Sequence, residues 1–263
     1  MPCLYIDFSY LRIYPVKTQM PYRRLPNTDV ARLRALRIAF EKGKELPPFD
    51  LAYTQSTLQR IQSFLPTFEK ILMETRQAYN LQVEKSKDFG KVLRKARLYI
   101  SHFIQVVNMA IARGDLPAAE RNFFSLSSDQ KNVPLFNTEA ELINWGEKLI
   151  SGENMRISKG RTPITNPTIA VVKVWYEKFM DTYKYQKILQ KNHARAQEKL
   201  NVLKKEADEI ILAIWNEVEH YYSSLSEDKK RENAKLYGLV YVLRKAEKKK
   251  LEMLVQSANG ETA

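Results

Sequence analysis

The sequence predicts an all-α protein: a pseudo-duplicated four-helix bundle of two long helical hairpins, with additional N- and C-terminal helices. Three observations predict it. Glycine is scarce, at 8 of 263 residues, whereas sheet proteins use glycine at every tight turn. Apolar residues recur at spacings of three, four and seven along most of the chain. One helical segment is also echoed: VLRKARLYISHFI (Val92 to Ile104) aligns with VLKKEADEIILAI (Val202 to Ile214). The helix before each copy echoes too, as ILMET (Ile71 to Thr75) and KFMDT (Lys178 to Thr182). An echo in both members of a hairpin, in order, reads as an internal repeat.

The elements follow in chain order. Residues 1–49 read as an N-terminal arm and a short helix. Pro15, Pro21 and Pro26 keep the first stretch out of a helix. Asn27 or Thr28 then caps a helix over about 29–44, with Val30, Leu33, Leu36 and Phe40 on one side. Residues 50–114 read as the first helical hairpin. Asp50 caps it, Leu58, Ile61, Leu65, Phe68, Leu72 and Tyr79 form its first stripe, and Pro66 kinks that stripe. A break at Ser86 to Gly90 turns the chain into a second helix carrying Leu93, Ile100, Ile104, Val107 and Ile111. Gly114 closes that helix.

Residues 115–166 read as a connector, with short helices at about 117–126 and 138–150. Thr138 and Glu141 have the spacing of a capping box, and Ser151 to Pro167 reads as a long loop. Residues 167–225 form the second hairpin. Asn166 and Pro167 start it, and Val172, Trp175, Phe179 and Tyr183 give its first stripe. Leu200, Leu203, Ala207, Ile210, Ile214, Val218 and Tyr221 then hold heptad spacing. Residues 226–263 read as a basic C-terminal helix, about 227–255 with Leu236, Leu239, Val240, Leu243 and Leu254 inward, and a fraying tail.

Composition narrows the function. Cys3 is the sole cysteine, so an internal disulfide and a multi-cysteine zinc cage are both excluded. The N-terminus MPCLYIDFSYLRIYP lacks a basic n-region and a clean apolar core, so it does not read as a signal peptide. No apolar run approaches the ~20 residues that span a bilayer. A cytoplasmic protein without a membrane span is the expectation. Phosphate-loop and nucleophile-elbow motifs are missing, so neither a catalytic residue nor a cofactor is expected.

The formal net charge is +13. That balance suits nucleic acid, an anionic membrane, an acidic partner or simply a solvated surface. Two basic clusters are the nucleic-acid candidates: Arg32, Arg34 and Arg37 near the N-terminus, and Lys229, Lys230, Arg244, Lys245, Lys248 and Lys249 near the C-terminus. Acidic residues interleave with the second cluster, as on a solvated helix face. Glu217 and His220 form Glu-x-x-His, the half-motif of ferritin-like metal bundles, but the first copy offers only Tyr99 and His102 in the equivalent place. A binding or scaffold protein with an unknown protein partner is therefore the leading expectation, nucleic-acid binding the alternative, and a metal bundle the weakest.

Several strings resemble a known group. ADEIILAIWNEVEHYY (Ala207 to Tyr222), AKLYGLVYVL (Ala234 to Leu243), ISHFIQVVNMAIARGDLP (Ile100 to Pro117), TEAELINWGEKLISGE (Thr138 to Glu153) and TPITNPTIAVV (Thr162 to Val172) are similar to a family of all-helical proteins from Bacteroides-like gut bacteria. The likeness covers roughly residues 65–245. It implies a bacterial setting and a helical fold, and since that family carries no assigned activity it implies no site residue.

Overall fold

The computed structural model describes residues 21–127, 132–245 and 247–249. The first twenty residues, with most of the expected arm and Cys3, lie outside the described residues. So does the expected helix beyond residue 249. The described chain is helical: α1 (Asp29–Glu45), α2 (Gln55–Arg113), a 3-10 helix (Ala118–Phe124), α3 (Glu139–Ser158), α4 (Ile169–Tyr221) and α5 (Glu227–Lys235). Strands β1 (Tyr22–Arg23) and β2 (Tyr241–Val242) form a short antiparallel ladder, Tyr22 opposite Val242 and Arg23 opposite Tyr241. No helix among the described residues is long and apolar enough to cross a membrane.

The two expected hairpins are each one uninterrupted helix. α2 runs for 59 residues through Pro66 and through Ser86 to Gly90. A glycine inside a helix costs about 1 kcal/mol relative to alanine, which does not end a helix whose apolar seam continues. Here Phe89 stacks on Phe179 and tilts onto Tyr183, with ring centroids 6.1 and 6.4 Å away. α4 runs for 53 residues through the charged stretch Lys191 to Glu198, which holds no proline or glycine. Leu189 and Leu200 are buried on either side of that stretch.

The chain divides into two compact units. The first takes the residues up to Lys70 and from Asn201 onward. Thr28 caps α1 by accepting from the Ala31 amide. The buried side of α1 is Ala35, Leu36 and Ala39, whereas Val30 is 69% exposed, so the expected stripe was rotated. The turn before α2 is capped by Thr54 and not Asp50. The Thr54 carbonyl accepts from the Leu58 amide, and its hydroxyl accepts from Thr57. Ile61, Phe64, Leu65 and Phe68 of α2 are buried, as are Ala207, Ile210, Ile211, Ile214, Trp215 and Val218 of α4. Five positions of the expected heptad are thus core, but Tyr221 is exposed.

The C-terminal helix stops early. α5 ends at Lys235, and Gly238 then adopts φ +86°, which side-chain-bearing residues rarely do. The Gly238 backbone packs on α1, where an added Cβ would lie 3.3 Å from the Ala35 carbonyl oxygen. That turn buries Tyr237 and Leu239 and leaves Leu236 and Val240 outside. It then carries the chain into β2.

The second unit is Ile71–Leu200. Its core joins Ala96, Ile100, Phe103, Ile104 and Val107 of α2 to Leu142 and Leu149 of α3 and to Val172, Tyr176 and Phe179 of α4. Gly114 closes α2 at φ +85°, as expected. Thr138 and Glu141 form the capping box of α3. α3 continues to Ser158, so the expected loop Ser151 to Pro167 shrinks to about ten residues. The Asn166–Pro167 peptide is cis, and α4 begins after it, at Ile169.

α3 extends because its last turns are tied down by charge. Arg156 and Glu153 are fully buried, and Glu120 nearly so. The Arg156 guanidinium donates to Glu153 (2.9 Å), to Glu120 (3.3 Å) and to the Thr162 carbonyl. Glu153 accepts from the Ile164 amide at 2.8 Å, and Glu120 also meets Arg161 at 3.1 Å. This knot fastens the 3-10 helix, α3 and the following loop. Charges buried together in this way are strongly interdependent, since removing one leaves another without a partner.

Two glycines in helices behave oppositely. An added Cβ at Gly152 would run into the Phe123 carbonyl, while at Gly90 the nearest atom is an Arg94 nitrogen 3.8 Å away. Gly152→Ala is expected to lower stability by about 1–3 kcal/mol through overpacking. Gly90→Ala is expected to raise it by about 0.5–1 kcal/mol through helix propensity. Urea unfolding of the two variants checks the pair, and a shift of the same sign in both would contradict the packing described.

Candidate functional site

The N-terminal basic cluster is largely neutralised within the first unit. Arg32 is 14% exposed and grips Asp208 with two hydrogen bonds, 2.7 and 2.9 Å, with Asp29 at 3.6 Å. The Asp208 hydrogen bond raises the pKa of the guanidinium still further, so its charge is permanent but already countered. Arg37 pairs with Glu69 at 2.6 Å. Arg34 is exposed with no carboxylate partner among the described residues. Of the C-terminal cluster, Lys230 pairs with Glu227 at 3.6 Å, whereas Lys229 is exposed. Arg244, Lys245, Lys248 and Lys249 are also exposed, where the Glu247 carboxylate accepts from the Arg244 amide. The structure therefore does not gather the nine candidates into one unopposed surface.

The metal half-motif is engaged in helix capping. Glu217 accepts from the Thr54 amide at 2.6 Å through one carboxylate oxygen and from the Thr57 hydroxyl at 2.7 Å through the other. This carboxylate sits at the N-terminus of α2, where unpaired amides and the helix dipole favour negative charge. His220 lines an open groove beside it, with Pro48, Leu51, Tyr53 and Tyr221. No group of three or more metal-ligating side chains occurs among the described residues. Glu217 of the expected half-motif thus serves as a cap of α2.

The second unit presents a different set. On α4, Val171, Val174, Tyr185 and Ile188 are between 38% and 55% exposed. At about 100° per residue they fall within roughly 100° of one another, on one side of the helix. The buried Val172 and Phe179 face elsewhere. Beside this stripe, Trp175 lies parallel to Tyr99, with centroids 5.9 Å apart. The ammonium groups of Lys95 and Lys178 sit 4.5 and 4.8 Å from the Trp175 ring. Neither lysine has a carboxylate partner among the described residues, so the indole face is what holds each charge.

Charge is concentrated here. Residues 84–97 and 173–195 together hold twelve Lys and Arg against four Asp and Glu, a net +8 of the chain's +13. Local pairs offset little: Lys85 with Glu84, Lys91 with Asp88, and Lys173 with Glu177 at 3.8 Å. Sequence reading passed over this stretch because its charges are spread over two distant segments. Counting charge in windows along both helices would have found it.

Comparison of the chain with protein-family models, with curated proteins and with solved structures finds no match.

Two outcomes test these assignments. Glu217→Ala is expected to lower stability by about 1–2 kcal/mol, as loss of a helix cap does. Added zinc or ferrous iron is expected to leave the melting temperature of the wild type unchanged; unaltered stability of the variant, or a metal-dependent rise, would overturn the capping role. The second concerns Tyr176, whose phenol is pushed up to about 12 by burial and by Glu147, 3.3 Å away. A raised folded pKa gives stability that is complete below the ordinary tyrosine value of about 10 and is lost as pH rises toward 12. Urea melts are expected to weaken across that alkaline window, and the Tyr176 part of the loss to vanish in Tyr176→Phe.

Proposed function

We propose that this is a non-enzymatic helical binding or scaffold protein that holds a partner helix along the outer side of α4. The observation that carries the reading is the solvent-facing stripe Val171, Val174, Tyr185 and Ile188. Apolar residues at helical spacing on an exposed helix are what a docked amphipathic helix covers. Lys178 and Asp181 share the stripe, and Lys173, Glu177 and Lys184 border it. The partner is therefore an amphipathic helix, its apolar face on the stripe and its own charges set against this mixed rim.

The reading is non-enzymatic because tyrosines whose pKa is raised by burial serve the fold. Tyr53, raised by burial, donates to the Ala39 carbonyl at 2.7 Å. Tyr241, raised by burial and by Glu219, donates to that carboxylate at 2.7 Å. The echo between Val92 to Ile104 and Val202 to Ile214 belongs with this reading as a repeat of one long helix, since the copies lie on α2 and α4. The likeness of residues 65–245 to the bacterial helical family also stays with it as a proposal, and names no ligand.

The test is chemical crosslinking of the full chain in cell extract, read by mass spectrometry. Crosslinks from Lys178 and Lys184 into one stoichiometric protein partner are expected. They should be lost in Tyr185→Ala/Ile188→Ala with helix content unchanged by circular dichroism. A partner retained equally by that variant would overturn the assignment.

A further inference from the structure

The second unit also carries a groove of a different kind, on α2 and not α4. It runs along α2 and is lined by Gln82, Val83, Ser86, Lys87, Gly90, Lys91 and Arg94, with a volume of about 530 Å³. Gly90 makes the floor, because the absence of a side chain there leaves space up to the Arg94 guanidinium. Lys87, Lys91 and Arg94 stand around it at helical spacings of four and three, on one face. Lys91 meets Asp88 at 3.3 Å, while Lys87 and Arg94 have no carboxylate partner among the described residues.

α4 extends this positive surface. Tyr183 lies against Phe89, the residue before Gly90, and the Lys187 ammonium sits over the Tyr183 ring at 5.2 Å. Lys191 follows one turn later on the same side of α4. Cations thus stand at the groove on α2, and Lys187 and Lys191 stand on α4 next to Tyr183, whose ring packs on Phe89. Positive charge tracking a backbone, with an aromatic beside it, is the chemistry that binds single-stranded nucleic acid without sequence preference. An acidic protein would also be attracted. The arrangement favours phosphates, because a guanidinium beside open space over a glycine suits a bulky, multiply charged oxyanion.

We propose that the Gly90 groove, with Lys87, Lys91 and Arg94 of α2 and Lys187 and Lys191 of α4, binds the phosphate backbone of single-stranded nucleic acid. This goes beyond the partner-helix reading and uses a separate surface. It also moves the nucleic-acid surface from the N- and C-terminal basic clusters to the middle of the chain.

The test uses the full chain and fluorescein-labelled oligothymidylate, followed by anisotropy across a salt series. Wild type is expected to bind at low salt, with affinity falling linearly on logarithmic axes as salt rises. Lys87→Glu/Arg94→Glu/Lys187→Glu is expected to bind at least about tenfold more weakly, with a salt slope smaller by roughly 0.7 per lost phosphate contact. Lys229→Glu/Lys245→Glu, in the first unit, should retain most of the affinity. If the triple reversal loses helix content, Lys87→Gln/Arg94→Gln/Lys187→Gln replaces it. Absence of low-salt binding, an equal loss in the Lys229/Lys245 variant, or equally effective competition by polyglutamate would overturn the proposal. Tyr185→Ala/Ile188→Ala should bind the oligonucleotide as wild type does, so failure of the helix-docking reading and failure of this one are distinguishable.

Discussion

Both compact units rest on the same contact, a stretch of α2 laid against an oppositely running stretch of α4. In the first unit Thr57 meets Glu217 and Arg60 meets Glu209, so rising numbers on one helix face falling numbers on the other. In the second, Thr75 reaches Ala196, Tyr79 meets His193, Phe89 meets Tyr183 and Tyr99 meets Trp175. An isolated helix gains little from its own hydrogen bonds in water, and most helical stability comes from burying an apolar face. Helices of 59 and 53 residues are therefore sustained by this seam, and the other elements are placed by it. α1 and the turn at Gly238 cover the seam in the first unit. α3 and the 3-10 helix cover it in the second.

Much of this was legible from residue spacing, and the parts that were not share a cause. The caps at Thr28 and Thr138, the close at Gly114 and the heptad from Leu200 to Val218 are local patterns, decided by residues within a turn or two of one another. The break expected at Ser86 to Gly90 failed because its punctuation is local but its outcome is not. Phe89 finds Phe179 and Tyr183, which lie about 90 residues away in the chain, and that packing outweighs the weak preference of glycine to end a helix. The long loop expected after Ser151 failed for the same reason: Arg156 is held by Glu120, thirty-six residues earlier.

The basic clusters show the limit from the side of function. Sequence shows how many cations a segment carries but not which are countered. Arg32 looked free until Asp208, 176 residues on, was seen to hold it. Conversely, the positive stretch of the second unit was split between two segments and drew no notice, although the antiparallel pairing brings them side by side. Net charge is a property of composition, whereas an interface is a property of what remains unpaired after folding.

That distinction also explains why the cations of the second unit stay available. In the first unit four of the five acidic residues of α4, Asp208, Glu209, Glu217 and Glu219, face a partner on another element: Arg32, Arg60, the start of α2, and Arg23. The middle of α4 has just Glu177 and Asp181 against Lys173, Lys178, Lys184, Lys187, Lys191 and Arg195. Lys173 pairs with Glu177, Lys178 and Lys187 settle on aromatic rings, and Lys184, Lys191 and Arg195 are exposed. A cation resting on a ring keeps its charge and is held by about 0.5–1 kcal/mol when exposed, so an incoming anion can draw it away at small cost. The acidic half of α4 thus pairs largely within its own unit, while the basic half keeps most of its charge without a carboxylate partner among the described residues.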